Sequence, residues 1–176
     1  MSNLTAEQAH LFVHNIVLGI LKNENRTTKS VLAAVPDANL DYRPDPSAKS
    51  ANELLRHIAS ADNWFIKSVV DGVFAPGSVK IPEDVTRPEE VVQWYENEYA
   101  KNIDAVTKMS GEQLALLMDF RGMFKNQAFT FLLAGLHHTI HHRGQLSTCL
   151  RPMGAKVPAI YGESYDSAQA KKAAQT

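Results

Sequence analysis

A chain of 176 residues, 44% apolar and 21% charged, has the size and composition of one soluble domain that needs neither a disulfide nor a structural metal to fold. Its 18 basic and 19 acidic residues leave a net charge of -1 with no basic run, which excludes the electrostatic footprint of a nucleic-acid binder. The single Cys149 rules out an internal disulfide, Met1-Ser2-Asn3-Leu4-Thr5 begins no basic-then-apolar leader, and no apolar run reaches membrane length, so a soluble, cytoplasmic protein is expected.

Four helical segments follow in chain order. Thr5 with Gln8 reads as a capping box, opening a helix that carries Leu11, Ile16, Leu18, Leu21, Val31 and Leu32 to its end before Pro36. The stretch 36–49 holds Pro36, Pro44 and Pro46 with several Asp and Asn, and reads as a crossing loop. Ser50 with Glu53 opens a second helix that Gly72 closes, with Leu54, Leu55, Ile58, Ala61, Phe65 and Val69 as its apolar face. A second loop occupies 73–85. Thr86 with Glu89 predicts a third box, Pro88 fits the first turn, and the helix runs to about Met109 before Ser110-Gly111. Residues 114–124 fit a helical turn or an extended piece equally well. Asn126 can cap a fourth helix that reaches Leu150 before Pro152 and Gly154, after which 155–161 reads as ordered coil and the chain from Gln169 as frayed. Four long helices with no strand-period alternation predict an all-α bundle.

The fourth helix carries four of the seven histidines in the run His137-His138-Thr139-Ile140-His141-His142. Residues four apart share a helical face about 6 Å apart, so both His137/His141 and His138/His142 could chelate one ion. At ~100° per residue, His138 and His142 point the same way as Phe131, Gly135, Leu146 and Cys149, whereas His137 and His141 share a face with Thr130 and Thr148. A metal wants a dry, fixed surround, which favours His138 and His142. His57 borders the apolar face of the second helix and is the candidate third ligand. His10 and His14 are also four apart and offer a further ligand or an ordinary helix surface. Several adjacent imidazoles on an otherwise apolar helix are hard to explain by packing.

The string His138-Thr139-Ile140-His141-His142-Arg143-Gly144-Gln145-Leu146 resembles the signature of the DinB-like superfamily of metal-binding bundles. So do Tyr42-Arg43-Pro44 ahead of the second helix, Ser50 with His57 seven residues on, and Gly154-Ala155-Lys156-Val157-Pro158-Ala159-Ile160-Tyr161-Gly162 after the last helix. The resemblance implies an all-α, up-down-down-up four-helix bundle of the DinB/YfiT type over residues 1–165, with a flexible tail over 166–176. It implies a divalent metal on His57, His138 and His142, the set that the helical faces select. Some members are thiol-dependent S-transferases or isomerases.

Three imidazoles leave at least one coordination position open, and nitrogen ligands suit zinc or nickel better than calcium or magnesium. The expectation is therefore a metal-dependent enzyme acting on a small molecule, of a thiol-linked transferase or hydrolase type. A non-catalytic metal- or ligand-binding bundle with a stress-related role is the alternative, and a homodimer is expected. Among the neighbours, Arg143 is expected in a surface ion pair or on an anionic ligand, and Gly144 at a close helix contact. Gln145 is expected to reach a ligating imidazole or backbone, and Asp62 or Asn63 to orient His57. Cys149 lies about 10 Å along the helix from His142, too far to share its ion, and Trp64, Trp94 and Tyr161 are expected in the core or a pocket wall.

Overall fold

Thr5 opens the first helix through the reciprocal box expected of it, its hydroxyl accepting from Gln8 N at 3.2 Å and Gln8 Oε1 accepting from Thr5 N at 3.0 Å. The computed structural model describes residues 3–174, so Met1, Ser2, Gln175 and Thr176, at the ends of the expected leaderless start and the expected tail, lie outside the described residues. Helix α1 (Ala6–Phe12) passes into a π-helical turn, Val13–Val17, and continues as α2 (Leu18–Leu32). Leu18 N donates to Val13 O, five residues back, so this turn takes up an extra residue. That extra residue decides which of the apolar residues face the core. Ala9, Val13, Val17 and Leu21 stay on the buried face at four-residue steps, which a plain α-helix would rotate away by about 40° each time. Leu11 and Ile16 are turned outward instead, 52% and 48% exposed.

Ser50 caps α3 (Ala51–Asp71) in a second reciprocal box with Glu53, and Gly72 closes the helix at φ +72°, a left-handed conformation that favours glycine. In α4 (Pro88–Thr107) the cap shifts by one residue from the expected Thr86/Glu89 pair. Pro88 must take the first helical position, so Arg87 is the cap residue and Glu90 reaches back to accept from Thr86 N at 3.0 Å and Arg87 N at 2.9 Å. Ser110 does not merely break the chain; it caps a one-turn helix, α5 (Gly111–Ala115).

Strands β1 (Leu117–Asp119) and β2 (Lys125–Gln127) then form an antiparallel hairpin with Leu117 opposite Gln127. The helical turn and the extended piece, both open for 114–124, thus occur in succession. With three residues per strand and only Met118 inward on β1, the hairpin is too short to show alternation. Helix α6 (Ala128–Leu150) starts at Gln127 rather than Asn126. The buried Gln127 side chain also ties the N-terminal segment to the head of α6. Its Oε1 accepts from Leu4 N at 2.8 Å and its Nε2 donates to Leu4 O at 2.8 Å. The segment expected as a tail carries α7 (Tyr165–Ala173), capped by the Ser164 hydroxyl, with none of its residues buried.

Four long rods form the bundle, and their contacts give its topology. Phe12 meets Phe129, and Glu24 pairs with Arg143, so the first rod and α6 run parallel. Tyr99 donates to Leu21 O and Lys29 pairs with Glu96, so α4 opposes the first rod. Arg56 reaches Val85 O just ahead of α4, and Asn102 bonds Asn63 further along, so α3 and α4 are parallel. His57 meets His142, and Phe65 meets Gly135, so α3 and α6 are antiparallel. The order is up-down-down-up, as the resemblance implies. Among the described residues no helix is long and apolar enough to cross a membrane.

Candidate metal centre

The most extensive rod contact is between α3 and α6, and one glycine permits a close approach there. A Cβ added to Gly135 would stand 2.5 Å from Phe65 Cβ and 2.8 Å from Phe65 Cγ. No side chain larger than hydrogen fits there with the helices at this distance. The expected close contact at Gly144 is absent: among the described residues nothing stands within 4 Å of a Cβ placed there. The approach at Gly135 brings the inner face of α6, one turn further on, against His57 of α3.

His57, His138 and His142 converge there, each half-buried, with one ring nitrogen apiece all within 4.8 Å of one another. His57 Nε2 lies 3.1 Å from His138 Nε2. Two ligands at ~2.0–2.1 Å from a tetrahedral zinc stand about 3.3 Å apart, so this spacing suits a shared ion. The ring centroids lie 4.4–4.9 Å apart in edge-to-face arrangements. Both His137 and His141 are exposed on the outer side of α6, although the His141 ring touches the edge of His142 at 4.9 Å. His10 and His14 stack on each other at 4.0 Å on the first rod, and the described residues form no third-ligand group around them.

Burial and neighbouring charges disfavour the protonated forms of His138 and His57. Burial, followed by the neighbouring His142, His57 and His141, holds His138 down to about 4. Burial again leads at His57, with His142 and Lys49 adding repulsion, and lowers it from the ordinary histidine value. A neutral imidazole keeps the lone pair that a metal requires. Gln145 Oε1 stands 2.7 Å from His142 Nδ1. A carbonyl oxygen only accepts, so Nδ1 carries the proton and His142 Nε2 is left as the donor atom. Of the two roles open to Gln145, the structure selects the imidazole. His138 Nδ1 is buried without a protein partner.

The other expected neighbours sit elsewhere. Asp62 and Asn63 do not orient His57: Asp62 accepts from Tyr95 OH at 2.7 Å, and Asn63 bonds Ala59 O, Tyr95 O and Asn102 across α4. Their position five and six residues past His57 turns them onto the α4 side of α3. Burial pushes the Asp62 carboxyl up to about 6. Arg143 is not a surface residue. It is 1% exposed, pairs with Glu24 at 2.7 Å, donates to Thr28 Oγ1 at 3.1 Å and also to Tyr161 OH. Tyr161 lies over Arg143 rather than in a core or pocket wall, while Trp64 is half-buried among Phe65, Phe74 and Phe120.

A cleft of about 270 Å³ opens beside the centre, with His142, Gln145 and Cys149 of α6 on one side and Lys49 and Leu54 among the residues of the other. Burial pushes the Cys149 thiol up, so it forms a wall rather than a thiolate. Sequence reasoning misses both Lys49 and Gly135. Lys49 looks like any loop lysine until the fold lays it against α6. Gly135 does carry a signal, a glycine on the same helical face as His138 and His142.

A family model described as the DinB family matches residues 6–174. The uncharacterised protein YjoA of Bacillus subtilis (strain 168) is 26% identical over 143 residues, covering 80% of this chain and 90% of YjoA. The crystal structure of that DinB-like protein superposes with a TM-score of 0.69 at 22% identity, over 84% of this chain and 99% of the other. A DinB-like protein from Bacillus cereus ATCC 10987 gives 0.67 at 23% identity, over 82% and 95%. At these identities the two structures show the shared fold.

Proposed function

The chain belongs to the DinB family, and we propose that it binds one divalent metal ion through His57, His138 and His142 and acts as a metal-dependent enzyme on a small molecule. The observation that carries the proposal is the convergence of three imidazoles from two helices, two of their nitrogens 3.1 Å apart. Such a donor set fits zinc or nickel, and either ion would supply a Lewis acid with an open position for water or a thiol.

The chain's own residues do the rest. At His57 and His138 burial disfavours the protonated form, which keeps the ring lone pairs that an ion needs. Gln145 holds the His142 tautomer. The cleft beside His142 takes the substrate and limits water around it, and the protonated Cys149 gives it a small apolar wall. A thiol-linked S-transfer or a hydrolysis is the proposed reaction type. The proposal includes a cytoplasmic homodimer, and sedimentation at micromolar concentration showing only monomer refutes that part.

Metal analysis of protein purified without an affinity tag tests the centre. About one zinc or nickel per chain is expected, with the loss of most of it in His138→Ala. Metal well below that level, unchanged in the variant, removes the proposal. Turnover of thiol-plus-electrophile pairs, or of small esters and amides, abolished by a chelator, supports the enzyme. A metal-loaded protein that turns over nothing across such a panel is a binding protein instead.

A further inference from the structure

The cleft beside the histidines has a charge character that the histidines alone do not explain. Its lining includes Lys49 and no acidic side chain. The two acids nearest Lys49 in sequence are engaged elsewhere: Asp45 Oδ1 is held by the Ser47 amide and hydroxyl, and Glu53 pairs with Arg43 at 2.7 Å and accepts from Ser50 N. Among the described residues Lys49 makes no ion pair, although eleven such pairs occur elsewhere. It lines the same cleft as His142, which places its charge beside the centre. Beyond His142 and the uncharged polar Gln145 and Thr148, the lining is apolar, with Pro44, Ala48, Leu54 and Cys149 offering no charge to a ligand.

We infer that this centre takes small substrates with one anionic group, read by Lys49, on a short apolar body lying against Leu54 and Cys149. The inference rests on the metal-binding reading and deepens it. A divalent ion on three neutral imidazoles adds two positive charges to the Lys49 ammonium, with no carboxylate in the wall to offset them. A cationic ligand is repelled by both, a neutral one is indifferent to Lys49, and a monoanion is attracted by both. A volume of about 270 Å³ limits the occupant to a small molecule. Lys49 is thus a specificity residue. It is exposed and lies outside the ligand set, so replacing it should leave the fold and the ion in place.

The test uses the full chain loaded with cobalt(II), whose absorption reports both metal uptake and sulfur binding. Three thiols with the same sulfur head differ in their tails: 3-mercaptopropionate, 3-mercapto-1-propanol and cysteamine. The carboxylate tail is expected to bind about fivefold tighter than the hydroxyl tail, and the ammonium tail more weakly than both, the scale of a partly exposed charge pair. Lys49→Met should take up cobalt as the parent does but lose most of the gap between the carboxylate and hydroxyl tails, while Lys49→Arg should keep it. Equal affinities in the parent chain, or a gap unchanged in Lys49→Met, overturn the inference while leaving the metal centre standing. A parent chain that takes up no cobalt overturns the centre and this inference together.

Discussion

Gly135 and Gly144 lie nine residues apart on α6 and should answer the same substitution with opposite signs. Replacing a helical glycine by alanine removes backbone freedom from the unfolded chain and stabilises by about 0.4–1 kcal/mol where the methyl fits. At Gly144 the methyl meets nothing within 4 Å, so Gly144→Ala should raise stability by that amount. At Gly135 it would sit 2.5 Å from Phe65 Cβ, an atom fixed to the α3 backbone that no rotamer change can move away. The helices must part by about an ångström or Phe65 must distort, and overpacking of this kind costs about 1–3 kcal/mol. After the helix gain is subtracted, Gly135→Ala should lose about 1–2 kcal/mol, and it should weaken metal uptake, because the same parting separates His57 from His138. Urea unfolding of both variants measures the pair. A Gly135→Ala protein at least as stable as the parent would falsify the claim that this glycine sets the α3–α6 distance.

Acid should act through two buried groups in opposite directions. His138, at about 4 in the fold and 6.5 when unfolded, loses stability as pH falls between those values, because only the unfolded chain takes the proton. Asp62, at about 6 in the fold against 3.8 unfolded, contributes stability that is full below 3.8 and lost as pH rises through 6. Asp62→Asn removes that offset, so between pH 6 and 4 it should lose up to ~3 kcal/mol more than the parent; identical pH dependences in urea unfolding count against it. In the metal-free protein, nuclear magnetic resonance should show His138 titrating near 4, and a midpoint near 6.5 speaks against its burial. Gln145→Leu should cost roughly tenfold in metal affinity, the usual effect of losing a residue that orients a ligand, with cobalt titration as the assay and unchanged affinity as the refuting result. Arg143→Met should lose about 2–3 kcal/mol by leaving Glu24 unpaired, and adding Glu24→Gln should restore part of it; a double variant no better than the single one refutes the pairing.

The helix starts at Thr5 and Ser50, the Gly72 stop and the facing of His138 and His142 with His57 can all be read from sequence, because each is set by neighbours within a turn or two. What cannot be read depends on contacts from other rods. Arg143 resembles a surface residue until Glu24, 119 positions earlier, is brought beside it. Lys49 faces the cleft only because the crossing loop lays it against α6. One widened turn, which no residue type in Val13–Val17 announces, keeps Ala9, Val13, Val17 and Leu21 on the buried face and leaves Leu11 and Ile16 outside it.

That widened turn also changes how the first rod should tolerate a missing residue. Deleting one position from an ordinary α-helix swings everything beyond it by about 100°, and a packed rod seldom survives that. Between Val13 and Val17 the chain already carries a surplus residue, absorbed in a five-residue hydrogen-bond step. Removing Ile16, which is 48% exposed, should let the turn tighten to the four-residue step while Ala9 and Leu21 keep their faces. A shortened chain that folds as well as the full one would mark this turn as an insertion scar, a place where the lineage can gain or lose a residue without redrawing the core.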